Sequence, residues 1–109
     1  MHERGELLLV PFPFSDLSST KRRPVLALTR PDRYGDFIGL PVTSRPHHGN
    51  AVPISMADLT EGTLPVASWA RTDRVVTLNS SLVLKSLARA DDSVVDAAVR
   101  QLCRHLGRT

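Results

Sequence analysis

Short apolar runs, each bounded by proline, glycine or small polar residues, make up most of the chain. Their length and boundaries favour strands, because a helix needs a longer segment with a three- to four-residue repeat. The predicted strands span residues 7–12, 24–29, 37–42, 51–54, 64–71, 74–78 and 83–88. The polar segments between them, such as residues 15–20 and 45–50, are predicted to be loops.

A clear helical repeat occurs at the end of the chain. Apolar residues recur there at three- and four-residue steps, at Val95, Ala98, Val99, Leu102 and Leu106. Asp91 or Asp92 is expected to cap the N-terminus of this helix, and Gly107 is expected to close it. A separate turn of helix, closed by Gly62, is predicted over residues 56–62.

Many short strands followed by one helix predict a mainly β fold. The chain has 109 residues, which suits a single domain spanning residues 1–109. Because 41% of the residues are hydrophobic and 23% are charged, one core can be filled and wholesale disorder is not expected. We therefore predict a small barrel, closed or nearly closed, with the helix packed on one side.

The sequence has none of the features of a membrane or secreted protein. No stretch approaches about 18 uncharged apolar residues, and the N-terminal segment lacks the apolar run of a secretory signal. Cys103 is the one cysteine, so it cannot form an internal disulfide, and it is expected to pack on the helix. We therefore expect a cytoplasmic protein with no membrane partner.

The net charge is small, but the basic residues are clustered. Lys and Arg number 14 against 11 for Asp and Glu, which gives a formal net charge of +3. This excess permits a polyanionic partner without requiring one. The Lys and Arg residues of the segment 21–45 are Lys21, Arg22, Arg23, Arg30, Arg33 and Arg45. If they converge in space, they form a positive patch of the size of a phosphate.

Four sequence segments resemble those of the PemK/MazF-like toxins, in the same order. Residues 4–17 read RGELLLVPFPFSDL, and residues 21–28 read KRRPVLAL. Residues 38–44 read IGLPVTS, in which Thr43 occupies the family's Thr position, and residues 68–73 read SWARTD and carry an Arg-Thr pair. Glu6 departs from the family's commoner Asp, and we expect this change to be tolerated because the residue supports a turn.

The resemblance implies a small SH3-like barrel that forms a homodimer and cleaves single-stranded RNA at selected sequences. It also implies a cognate antitoxin partner, usually acidic and partly disordered, which covers the cleavage groove. By the same resemblance, Arg23 and Thr43 match the family's catalytic residues. Arg71 and Thr72 are expected to hold a structural hydrogen bond, either at the dimer seam or near the substrate groove.

RNA carries its own nucleophile, the 2′-hydroxyl beside each phosphate. An enzyme needs to align that oxygen, remove its proton and stabilise the charge that develops on phosphorus. Fixed cations supply this electrostatic effect without a metal or another cofactor, so none is expected. The Arg23 guanidinium suits transition-state stabilisation, since it stays protonated and is a poor base. The Thr43 hydroxyl is expected to donate to a phosphate oxygen; a strand threonine chosen for propensity is the alternative.

Further residues are candidates for RNA binding. Lys21 and Arg22 are expected to meet flanking phosphates or, alternatively, to form an exposed basic turn. Ser44 and Arg45 directly follow Thr43 and join the predicted RNA-binding set. The remaining candidates in this set are His47 and His48.

Histidine suits proton transfer near neutral pH, so either loop histidine is a candidate acid or base. Solvated loop histidines are the simpler interpretation of both.

Three aromatic side chains have two interpretations each. Phe12 or Phe14 stacks on a base or packs in the core, and Trp69 packs in the core or at a dimer interface.

Two rival functions remain open on sequence alone. The related CcdB-type toxins, which poison DNA gyrase, share this fold, so the fold cannot exclude a toxin that inhibits a protein. A relative that binds RNA without cutting it would also have a similar sequence. Arg23 and Thr43 favour RNA cleavage, because a purely protein-binding toxin has no need of that pair.

Overall fold

Eight strands and one α-helix follow one another in the computed structural model, which describes residues 2–13, 20–46 and 49–107. The strands are β1 (Glu6–Pro13), β2 (Thr20–Ala27), β3 (Asp36–Thr43), β4 (Ala51–Ile54), β5 (Leu59–Gly62), β6 (Ser68–Arg71), β7 (Val76–Asn79) and β8 (Lys85–Ala90). The helix is α1 (Asp92–His105), and 3₁₀ turns lie at Met56–Asp58 and Ser80–Leu82.

The strands form one antiparallel sheet that curves into a half-barrel. Its order is β4-β6-β3-β2-β1-β8-β5, and β7 pairs with another part of β3. β1 and β2, paired from Leu7 opposite Leu26 to Pro13 opposite Thr20, form a long central hairpin. This architecture confirms the predicted mainly β fold with one C-terminal helix.

Alternation along the strands divides the apolar side chains between two cores. In β1, Leu7 belongs to the core that contacts α1, whereas its neighbour Leu8 belongs to a second core on the opposite face. The second core consists of Leu8, Val10, Val25, Ala27 and Phe37. Because successive strand residues point to opposite faces, both faces of the central hairpin are buried. This double burial gives the hairpin a rigid backbone.

Helix α1 forms where its apolar repeat predicts it. The carboxylate of Asp91 accepts a hydrogen bond from the Ser93 backbone N–H at 3.1 Å, which confirms the N-terminal cap. The buried face of the helix carries Val94, Val95 and Ala98. These residues join the core of Leu7 and so fix α1 against the sheet.

The predicted turn of helix over residues 56–62 is wrong beyond its first turn. Met56–Asp58 is a 3₁₀ turn, closed on its N-terminal side by the Asp58 carboxylate, which accepts the Ser55 N–H at 2.8 Å. Leu59–Gly62 then pairs with β8 as a strand. The left-handed φ of 74° at Gly62 therefore serves a strand and not a helix end.

Several predicted boundaries also change. β2 begins at Thr20, four residues before the predicted start, so Arg22 lies in a strand and not in a turn. The predicted strand over residues 64–71 is confined to Ser68–Arg71. Most of the predicted loop at 15–20, together with Phe14, lies outside the described residues.

Glu6 holds the turn that precedes β1. Its carboxylate accepts hydrogen bonds from the Glu3 backbone N–H and from the Ser86 hydroxyl, the latter at 2.8 Å. Burial raises the pKa of Glu6, but these two hydrogen bonds and the nearby His2 and Arg89 outweigh it, so the pKa lies below its ordinary value. The ionised carboxylate therefore stabilises the fold.

The contribution of Glu6 to stability is expected to depend on pH. A carboxyl whose pKa is lower in the folded state stabilises above its unfolded pKa and loses this effect as pH falls through its folded pKa. Urea unfolding of wild type and Glu6→Gln should therefore differ most near neutral pH and converge in acid. The same difference in unfolding free energy at both pH values would contradict this linkage.

Candidate active site groove

A groove of about 620 Å³ opens where the ends of β2, β3 and β6 meet. Four arginines of three strands or their flanks line it, together with three hydroxyl residues. These residues are Arg22, Arg23, Arg45, Arg71, Thr43, Ser44 and Ser68. Among the described residues, the lining contains no carboxylate, so the groove is suited to an anion.

The strand register brings Arg23 and Thr43 together. β2 and β3 pair antiparallel, and Val25 lies opposite Pro41. Arg23 and Thr43 lie two residues beyond this pair, which is the last of the β2–β3 ladder. Side chains two residues apart in a strand project to the same face, so Arg23 lies on the face of Val25 and Thr43 on the face of Pro41. Both residues line the groove, as the predicted catalytic pair requires.

Thr43 lies at the floor of the groove. It is 8% exposed, and its Oγ1 accepts the backbone N–H of Arg45 at 3.2 Å. A hydroxyl that accepts one hydrogen bond still has its own proton to donate. The bond also fixes the turn that carries Ser44 and Arg45, both of which are exposed at the groove.

Arg23 is held by the most rigid part of the sheet. It is half-buried, it lies opposite Val10 of β1, and Pro24 follows it within β2. Arg22 is exposed beside it. The backbone of Lys21 belongs to the same strand, whereas its side chain lies outside the described residues.

The opposite side of the groove carries Arg71, whose location the sequence left open. Its Nε and Nη2 donate to the two carboxylate oxygens of Asp73 at 3.0 and 2.7 Å. The hydrogen bond from Arg71 is the main reason why the pKa of Asp73 lies below its ordinary value. This bidentate pair fixes the plane of the guanidinium at the groove.

Thr72 faces away from the groove although it lies between these two residues. It is 1% exposed, and its hydroxyl contacts Gln101 and His105 of α1. The Arg-Thr pair of the sequence therefore has two separate roles. Arg71 belongs to the groove, and Thr72 belongs to the contact between the sheet and the helix.

An apolar wall, formed by Leu64, Pro65 and Val66, completes the groove. Val66 is 56% exposed, so its apolar side chain is accessible from the groove. Sequence analysis missed this wall because it assigned residues 64–71 to one strand. The sequence signal that marks the break is Pro65, which interrupts a strand. Apolar surface next to a cationic floor suits a nucleotide, which has both a base and a phosphate.

Other predicted residues lie beside or outside this groove. Trp69 is half-buried and pairs with Thr43 across β3 and β6. Cys103 is half-buried on α1. The candidate histidines His47 and His48 lie outside the described residues, so their predicted part in proton transfer stays a prediction.

The donors of the groove are guanidinium and hydroxyl groups, which are not a metal-binding set. Within residues 2–13, 20–46 and 49–107, no three His, Cys, Asp or Glu side chains form a group suited to a metal ion. Over the same part of the chain, no helix has the length and apolar character needed to cross a membrane.

Comparison with known families gives one match across almost the whole chain. The family model described as PemK-like, MazF-like toxin of type II toxin–antitoxin system matches residues 3–106. This range contains every groove residue named above. None of the curated protein sequences matches the chain significantly.

Solved structures share the fold at low sequence identity. A MazE–MazF complex from Deinococcus radiodurans (Form-III) has a TM-score of 0.78 and 24% identity, covering 99% of this chain and 98% of that chain. An endoribonuclease from mycobacterial species, in complex with its cognate antitoxin, has a TM-score of 0.77 and 16% identity, with coverages of 98% and 96%. The Mycobacterium tuberculosis toxin MazF-mt6 has a TM-score of 0.69 and 19% identity, with coverages of 94% and 98%.

Proposed function

Because the chain belongs to the PemK-like, MazF-like toxins of type II toxin–antitoxin systems, we propose that it is a metal-independent endoribonuclease acting on single-stranded RNA. The observation that carries the proposal is the groove itself. Arg23 and Thr43 both line it, together with further arginines and an apolar wall, which supports the proposal. Mycobacterial proteins of this fold are described as endoribonucleases, which supports the same activity.

The proposed reaction uses the RNA's own 2′-hydroxyl. That oxygen attacks the neighbouring phosphorus, the bond from phosphorus to the 5′-oxygen breaks, and a 2′,3′-cyclic phosphate forms. Arg23 stabilises the charge that develops on the phosphate oxygens, and Thr43 donates a hydrogen bond that positions one of them. The attacking 2′-hydroxyl gives up its proton and the leaving 5′-oxygen takes one up, and His47 or His48 remains a candidate base for the first transfer and a candidate acid for the second.

Arg71 extends the proposed substrate site. Since Asp73 occupies its Nε and Nη2, the Nη1 donors suit a second phosphate or the reacting one. Leu64, Pro65 and Val66 offer apolar contact to a nucleobase. The groove is therefore matched to a single-stranded substrate, whose bases are accessible.

An antitoxin is the proposed protein partner. MazE–MazF complexes and an endoribonuclease bound to its cognate antitoxin are known for proteins of this fold, which supports the proposal. An acidic, partly disordered segment is complementary in charge to the cationic groove. Such a segment would therefore compete with RNA for the same arginines. The homodimer and the cytoplasmic location expected from the sequence remain proposals.

The deciding experiment measures cleavage of single-stranded RNA in the presence of EDTA. The proposal expects cleavage products with 2′,3′-cyclic phosphate ends, and loss of most activity in Thr43→Val, which keeps the shape but removes the hydroxyl. Thr43→Ser, which keeps the hydroxyl, is the matched control. RNA binding without cleavage would instead identify a degenerate relative, and gyrase inhibition without RNA binding would identify a protein-directed toxin.

Cleavage at low substrate concentration is expected to weaken as salt concentration rises. Each phosphate contact releases counterions, so Arg22→Ala should reduce the slope of log affinity against log salt by about 0.7. Fluorescence anisotropy with labelled single-stranded RNA measures this slope. Arg33→Ala removes the same charge from a residue that does not line the groove, so its slope should equal that of wild type. A flat salt response in wild type would show that Arg22 does not contact phosphate.

A further inference from the structure

We propose that Thr72 is a positioning residue through which helix α1 holds the Arg71–Asp73 pair at the groove. The proposal rests on the proposed function for its effect on catalysis. Its structural part, the coupling of α1 to this pair, is independent of the substrate.

Three consecutive residues divide their side chains between two environments. Arg71 and Asp73 form a bidentate ion pair, and their side chains are 19% and 28% exposed. Thr72, between them, is 1% exposed and makes its side-chain contacts with α1. A movement of the Thr72 backbone therefore moves both members of the ion pair, because each is its direct neighbour in the chain.

Three hydrogen bonds fix Thr72, two at its side-chain hydroxyl and one at its backbone N–H. Its hydroxyl donates to Oε1 of Gln101, and its Oγ1 lies 3.0 Å from Nε2 of His105, which donates to it in the tautomer that carries the proton on Nε2. Its backbone N–H donates to the carbonyl oxygen of Asn50 at 2.9 Å. A hydroxyl that both donates and accepts has one favoured rotamer, so the side chain and the backbone are fixed together.

The need for an anchor follows from where the strand ends. β6 ends at Arg71, and Thr72 and Asp73 lie in the turn that follows. Turn residues lack the regular ladder bonds of a sheet and are held by local contacts instead. Helix α1 supplies such contacts from a rigid base, since its Val95 and Ala98 are fully buried in the core.

The hydroxyl test compares Thr72→Val with Thr72→Ser. Valine keeps the shape but leaves Gln101 and His105 without their partner, whereas serine keeps the hydroxyl. We expect Thr72→Val to lower kcat by about tenfold to hundredfold, with a smaller change in KM, because a misplaced guanidinium acts in the transition state. Thr72→Ser should restore most of kcat. Arg100→Ala, an exposed change on the same helix, should leave kcat unchanged.

A second measurement does not depend on RNA cleavage. Carbon-13 NMR titration of the Asp73 carboxyl reports the ion pair directly, because Arg71 lowers the pKa of that carboxyl. We expect Thr72→Val to raise the pKa of Asp73 toward its ordinary value and Thr72→Ser to leave it low. If wild type does not cleave RNA, the proposed function fails. The titration still shows whether Thr72 positions the Arg71–Asp73 pair.

One further variant keeps the test valid if Thr72→Val does not fold. His105→Phe removes one partner of Thr72 at an exposed position, so the core is left intact. It should shift kcat and the Asp73 titration in the same direction and by a smaller amount. The proposal is overturned if the folded variants titrate Asp73 and cleave RNA as wild type does.

Discussion

Replacement of Arg23 by alanine is expected to lower the rate of single-stranded RNA cleavage by about 10²–10³-fold, the usual cost of removing one preorganised charge-stabilising donor. The expectation follows from the position of Arg23 in β2, opposite Val10, and from the groove that it lines together with Thr43. In the proposed mechanism, a guanidinium held by a strand stabilises the developing phosphorane charge without reorganising. Single-turnover cleavage of a labelled RNA measures the effect.

Two controls show whether the loss belongs to the site. Arg33→Ala removes one exposed arginine that does not line the groove, and it should cleave RNA at the wild-type rate. Arg23→Lys keeps the charge but loses the planar fork, so it should recover only part of the activity. Thermal unfolding checks that Arg23→Ala still folds. Wild-type cleavage by a folded Arg23→Ala protein would refute the assigned role.

Replacement of Gly62 by alanine is expected to destabilise the fold by about 2–5 kcal/mol, which combines left-handed strain with overpacking. Gly62 has a φ of 74° and pairs with Ala88 across β5 and β8. An added Cβ would collide with the backbone oxygen of Leu87 and would lie 2.7 Å from Cα of Ala88. Because backbone atoms of a sheet cannot move aside easily, the collision distorts the pairing of the strands.

Gly49→Ala is the matched control for this prediction. Gly49 has a nearly identical φ of 75°, but an added Cβ meets no atom of the described residues within 4 Å. It should therefore cost only the backbone strain, about 1–2 kcal/mol. Urea unfolding measures both free energies. Equal losses in the two variants would show that the close approach of β8 contributes nothing.

The elements that the sequence predicted best are those whose stability is local or whose pattern is strong. The repeat from Val95 to Leu106 and the capping carboxylate of Asp91 predict α1 within one residue at its start, because both act within the helix itself. The strand over residues 51–54 is also found with the predicted bounds. The central strands appear at the predicted places with shifted ends, since hydrogen-bonded partners extend a strand beyond its apolar run.

The elements that the sequence predicted wrongly depend on distant partners. Gly62 closes a helix equally well on local grounds, because a helix end and this strand end both need a left-handed φ. Only the pairing with β8 decides between them. Val66 was likewise assigned to a strand over residues 64–71. Its exposure at the groove depends on the course of the chain before β6, which local sequence does not determine.

The candidate site shows the same division. Arg23 and Thr43 were found through a family pattern, since the two residues are 20 positions apart in the sequence and nothing local connects them. The location of Arg71 was ambiguous, because the sequence does not show whether Arg71 or its neighbour Thr72 faces the groove. The structure separates the two, since alternation sends Arg71 to the groove and Thr72 to α1.

The sequence by itself determined the mainly β class, the C-terminal helix and the types of residue from which the proposed phosphate site is built. These properties follow from local periodicity and from side-chain chemistry, and both can be read directly from the order of the residues. Tertiary structure alone decided that Arg22, Arg23, Thr43 and Arg71 share one groove, because antiparallel register brings distant strand ends together. It also decided the bond from Thr72 to α1, which depends on where the helix packs.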